Sequence, residues 1–154
     1  MSYQSTLFFQ SLLLFINSGL SIFLVLALRS VGIPARLAGT PAWWGDQSKG
    51  DHSWVEVYVP SNQTKSAGQW MFLEPTPGIA EGNEDTANAD NLDRNPCERW
   101  FCKAERFNGS TKTFATRYDR QATKYFPMAW ADGDKGVPGE ERTKYYSSTC
   151  GKCK

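Results

Sequence analysis

Apolar residues crowd the start of the chain, where 7–28 form a mostly apolar run. Such a run is long enough to cross a bilayer. Gln10, Ser11, Asn17, Ser18, Gly19 and Ser21 interrupt it, however, and no Lys or Arg precedes Arg29. A signal peptide has a basic start and a small-residue cleavage site. The pattern therefore favours a buried helix over membrane association through 7–28. Asn17 and Ser18 suit the N-cap. Gly19–Val31 is then predicted as a helix, with Gly32 as the left-handed residue just past its end and Pro34 as a stop. Apolar on nearly all sides, this helix is expected in the middle of a core.

The period then changes. Ala35–Gly39 is a short strand-like run. Ser53–Val59 alternates, with Trp54, Glu56 and Tyr58 on one face and Val55, Val57 and Val59 on the other. Trp70–Glu74 alternates as well, and Pro60–Gln69 carries the residues of a hairpin loop. One helix followed by an antiparallel sheet is an α+β layout. Ile79–Asp93 is acidic and predicted as a solvated loop, without the spacing of a calcium loop. Arg94–Tyr125 turns basic and interleaves Phe101, Phe107, Phe114, Tyr118 and Tyr125 with its charges. We read it as half-buried structure that neutralises the acidic loop, in preference to a single-strand binder. From Phe126 onward an irregular closing segment is expected to add Met128 and Trp130 to the core.

Composition narrows the function. A chain of 154 residues fits one domain with a core that does not depend on disulfides. A net charge of +1 offers no field for nucleic acid. The single histidine excludes metal motifs built on two. The four cysteines, Cys97, Cys102, Cys150 and Cys153, permit two disulfides without requiring them. The terminal Cys150-Gly-Lys-Cys153 lacks a matching second half for zinc and sits in a polar tail, so a structural or incidental pair outweighs a redox or metal role. No metal or cofactor is implied.

The histidine is the place to look for chemistry. His52 opens a strand and shares its face with 54, 56 and 58, while Glu74 shares a face with Trp70 and Phe72. If the strands pair with 54 opposite 72 and 56 opposite 70, then His52 lies directly opposite Glu74. A carboxylate beside an imidazole fixes its tautomer, which is the base-and-orienter half of a nucleophilic triad. The third member would be a Cys or Ser at the start of a helix, where the dipole favours a thiolate. The helix beginning near Asn17 is the candidate.

Three motifs carry a resemblance. Leu28-Arg29-Ser30-Val31-Gly32-Ile33-Pro34-Ala35-Arg36-Leu37-Ala38-Gly39-Thr40-Pro41 resembles the core motif of transglutaminase-like domains. Asp51-His52-Ser53-Trp54-Val55-Glu56-Val57 is similar to the family's histidine strand, and Trp70-Met71-Phe72-Leu73-Glu74-Pro75 to its acidic strand. The likeness continues more weakly through Leu92-Asp93, Trp100-Phe101 and Phe126-Pro127-Met128-Ala129-Trp130-Ala131, as in exported bacterial members. It implies a papain-like α+β core in which a Cys attacks an acyl group, His52 takes its proton and Glu74, where many members have Asp, orients the ring. The partner implied is a protein or peptide, as substrate or ligand, with Trp43, Trp44, Trp54 and Trp70 read as lining the cleft.

The resemblance also places the nucleophile, about twelve residues before Arg29. That position holds Asn17, in Asn17-Ser18-Gly19-Leu20-Ser21, and an amide is no nucleophile. Ser18 and Ser21 carry hydroxyls out of position, and all four cysteines follow Glu74, the wrong order for this family. The expected organisation is a divergent or truncated segment 1–18, a transglutaminase-like domain 19–146 and a polar tail 147–154. The resulting expectation is an acyl-transfer or hydrolase domain that lacks its thiol and is inactive. The alternative is a peptide- or glycan-binding module built on the ancestral cleft. The compartment is not fixed by the sequence; export is implied only by similar members.

Overall fold

The computed structural model describes residues 18–61, 67–75, 79–80, 83–84, 96–99, 101–107, 109–127 and 135–153. Asn17, Met128 and Trp130, together with the upstream part of the apolar run, lie outside the described residues.

Residues 18–30 form helix α1. Its end follows from Gly32, whose φ of 83° sits in the left-handed region. The Gly32 and Ile33 amides turn back to the Arg29 and Leu28 carbonyls at 3.1 and 2.9 Å. That pair of bonds closes the helix as expected of a glycine at this place.

Five antiparallel strands make the sheet, in the order β3-β2-β1-β6-β7. They are β1 (Ala35–Thr40), β2 (His52–Val59), β3 (Gln69–Leu73), β6 (Phe114–Thr116) and β7 (Gly139–Glu141). A small ribbon, β4 (Ile79–Ala80) with β5 (Asn83–Glu84), lies outside it, in the segment read as a loop. Two further helices follow, α2 (Ala104–Phe107) and α3 (Thr143–Cys150). The α+β architecture expected from the pattern is therefore the observed one.

The period-2 alternation divides the sheet's two faces. Val55, Ala35 and Leu73 meet Val25 of α1, with Leu24, Leu28 and Val57 packed around them. On the opposite face Trp54, Phe72, Ala38 and Ala115 pack with Trp43, Phe101, Phe107, Tyr146, Cys102 and Cys150. Helix α1 is thus an outer layer rather than an all-round buried rod among the described residues. Phe23 is 70 % and Leu26 60 % exposed. A flat sheet can cover only one side of a helix, so an apolar sequence on all sides leaves its far side bare.

The closing segment is more ordered than its composition suggests. Strand β7 and helix α3 replace the expected irregular tail, and α3 carries the buried Tyr146 and Cys150. Two disulfides anchor it, Cys102–Cys150 and Cys97–Cys153. The residues read as a polar tail, 147–153, are therefore tied into the aromatic face. The Cys-x-x-Cys pair is split, each cysteine bridging to a separate partner. Among the described residues no helix is long and apolar enough to cross a membrane.

Candidate active site

His52 begins β2, two residues after Gly50, whose φ of 81° turns the chain into the strand. Gly39 of β1 lies beside it, where a Cβ would come within 2.6 Å of the His52 carbonyl oxygen. Only a glycine lets the two backbones approach so closely there. The His52 ring is packed against Phe101 (centroids 4.8 Å apart) and Trp54 (5.9 Å). Its Nε2 lies 2.8 Å from Glu74 Oε2, and both side chains are almost wholly buried.

The pair forms, but not by the register expected. Val55 faces Leu73 and Glu56 faces Phe72, which puts Trp54, not His52, across from position 74. The hairpin is shifted by two residues, and the parity survives. His52 and Glu74 are diagonal neighbours, whose Cβ atoms stand roughly 7 Å apart. The glutamate's extra methylene covers that distance, which a directly opposed pair would not need. Sequence alone could not set the register because Pro60–Gly68 is long enough for more than one hairpin.

Because Glu74 occupies Nε2, proton exchange with any further group falls to Nδ1. The neighbouring Asp51 carboxyl is held above its ordinary value by burial, against the opposing attraction of His52.

The start of α1 reaches the same end of β2. Ser21 Oγ donates to the Ser53 carbonyl at 3.1 Å, and Ser18 Oγ to Ser53 Oγ at 3.4 Å. These two hydroxyls, the available substitutes for a thiol near position 17, are thus engaged by the residue after the histidine. No cysteine is free.

The four tryptophans expected to line a cleft are not gathered at one surface. Trp54 and Trp43 are fully buried. Trp54 donates its indole N–H to the Tyr146 hydroxyl at 2.7 Å, and Trp43 packs edge-on to Phe107. Trp70 sits at the far end of β3 against Tyr58, with the Arg36 guanidinium 4.1 Å over its ring. Trp44, in the turn after β1, is the exposed one of the four, held at a left-handed φ of 54° by its amide bond to Thr111 Oγ1.

Beside the His52–Glu74 pair lies a buried ionic network that the sequence did not reveal. Glu56 is 0 % exposed. It accepts from Arg36 Nε at 2.8 Å, Arg142 Nε at 2.9 Å and the Tyr146 hydroxyl at 2.8 Å. Arg36 also reaches Glu140 at 2.7 Å. Burial pushes the Tyr146 phenol well above its usual range, and the Glu56 charge adds to that. Burial works against the Arg142 charge, but Glu56 outweighs it and raises the pKa. The available signal was Glu56 itself, an acid on the face shared with Trp54. Two of its partners, Arg142 and Tyr146, lie some ninety residues later and no local pattern points to them.

Residues 17–75 match the family model of the transglutaminase-like superfamily. This stretch is similar to a transglutaminase-like core. The matched span begins at Asn17 and runs from α1 through β3, so it contains both His52 and Glu74. Neither the curated proteins nor the solved structures contain a significant match to the chain.

Proposed function

We propose that this is a transglutaminase-like domain that retains its base and orienting acid and has lost its thiol, so that it performs no acyl transfer as it stands. The observation that carries this reading is the coexistence of the buried His52–Glu74 pair with four cysteines that are all bridged to one another. In transglutaminase-type chemistry a thiol attacks an amide carbonyl, its proton passes by way of the imidazole to the amine that leaves as the C–N bond breaks, and the thioester goes on to a new amine or water. His52 Nδ1 is suited to take that proton and Glu74 to hold the ring. The attacking sulfur is what the chain lacks. Asn17, at the family's Cys position, supplies none, and loss of a triad nucleophile costs on the order of 10⁶ in rate.

The two bridges also argue for an oxidising compartment, where such bonds persist. The binding-module alternative receives less support, because Trp43 and Trp54 are inside the protein and Trp70 is stacked under Arg36.

Amine incorporation and iodoacetamide labelling test the reading. The unreduced parent chain is expected to show neither. Asn17→Cys is expected to gain labelling at that position, and His52→Ala in that background to slow it. Turnover by the parent that disappears in His52→Ala would overturn the proposal.

A further inference from the structure

We infer that the protein holds a second binding site, an arginine-rimmed apolar groove for an acidic peptide segment, at the end of the sheet away from His52. The groove opens between the bare side of α1 and the loops flanking β6 and β7. Ile22, Leu26 and Val137 form its apolar floor, and its volume is about 700 Å³. A second recess of about 640 Å³ continues it toward Trp70 and shares Arg29, Arg117 and Tyr118 as a common wall. Strand β1 starts in this recess and ends beside His52, so the two sites are separated by roughly 15 Å of strand.

Its chemistry selects the occupant. Exposed apolar side chains in a concave trough favour binding over solvation. Four arginines line the combined trough (29, 36, 117 and 120) against two carboxylates, Asp119 and Glu140. Each carboxylate is already closed by an arginine, Asp119 by Arg117 at 3.0 Å and Glu140 by Arg36 at 2.7 Å. The remaining charge is positive. It rests on the exposed Arg120 in the first recess and Arg29 on the wall the two recesses share, since Arg36 is buried and held by Glu56 and Glu140 and Arg117 is held by Asp119. A single-headed amphiphile would place its one anion at one mouth. Cations distributed over apolar floor instead match a chain with repeated carboxylates between apolar side chains. Tyr118, 98 % exposed with Arg29 5.9 Å from its ring, offers a flat surface beside them.

The test uses the intact, oxidised chain and a fluorescein-labelled peptide of alternating glutamate and leucine, read by anisotropy. Binding is expected to fall about tenfold or more in Arg117→Gln/Arg120→Gln, two exposed positions, and to fall in Leu26→Ser. His52→Ala is expected to leave the affinity unchanged, which separates this site from the one above. Circular dichroism checks that each variant is folded. The inference is overturned by equal binding of a lysine–leucine peptide or by arginine variants that bind as the parent does. Loss of affinity in His52→Ala, or binding only to phosphatidylglycerol vesicles, would overturn it as well.

Discussion

The two faces of the sheet are held by different physics. Against α1 the contact is mainly apolar, Val25 on Ala35, Val55 and Leu73, with hydrogen bonds from Ser18, Ser21 and Arg29 at its two ends and no ion pair in the cluster. The other face buries stacked aromatics, the charged network of Glu56, and two disulfides that hold α3 in place. A hydrophobic contact tolerates small shifts, because it is not directional. A buried carboxylate shared by two arginines and a tyrosine does not, because each displaced partner leaves a charge or hydroxyl uncompensated. The His52–Glu74 pair lies on the face with the more exacting packing. That rigidity is what a geometry-dependent site requires.

The contrast can be broken most severely at Glu56. Glu56→Ala leaves Arg36 and Arg142 facing each other and is expected to cost about 4 kcal/mol in denaturant unfolding. Replacing Cys102 and Cys150 together by Ala is expected to cost about 3 kcal/mol, with Tyr146 losing its hold on Trp54 as judged by tryptophan fluorescence. On the opposite face Val55→Ala should cost about 2 kcal/mol. A reductant sharpens the comparison. Once α3 is released, the loss from Glu56→Ala should shrink while that from Val55→Ala stays the same, and equal changes in both would mean that the faces are not independent.

A smaller effect concerns acid. Burial tends to raise the Glu140 carboxyl, but its bond to Arg36 and that residue's charge prevail and place it below the ordinary 4.5. The folded form therefore holds this proton less tightly than the unfolded one. Its stabilisation is present above 4.5 and is lost as pH falls through the lowered folded value. Glu140→Gln should flatten the acid limb of the stability curve by a few tenths of a kcal/mol, since the group is partly exposed.

What could be read from the chain was whatever lies within one element or its periodicity. The α1 terminus at Gly32, the alternation of His52–Val59 and the shared parity of His52 and Glu74 all follow from local rules. The hairpin register did not, because a nine-residue connection leaves the pairing free by two. Neither did α3. Its Thr-Lys-Tyr-Tyr-Ser-Ser-Thr-Cys sequence has weak helical preference, and covalent bridges and the burial of Tyr146 supply what propensity lacks. The ionic network was out of reach for the same reason, since Arg142 and Tyr146 meet Glu56 only once α3 has docked.

The two bridges are nested: Cys102–Cys150 closes inside Cys97–Cys153. Both span the stretch from 103 to 149, which includes α2, β6, β7 and most of α3. A protease that cuts anywhere in that stretch leaves two pieces still joined through sulfur, and the nicked molecule migrates as one species until a thiol reagent is added.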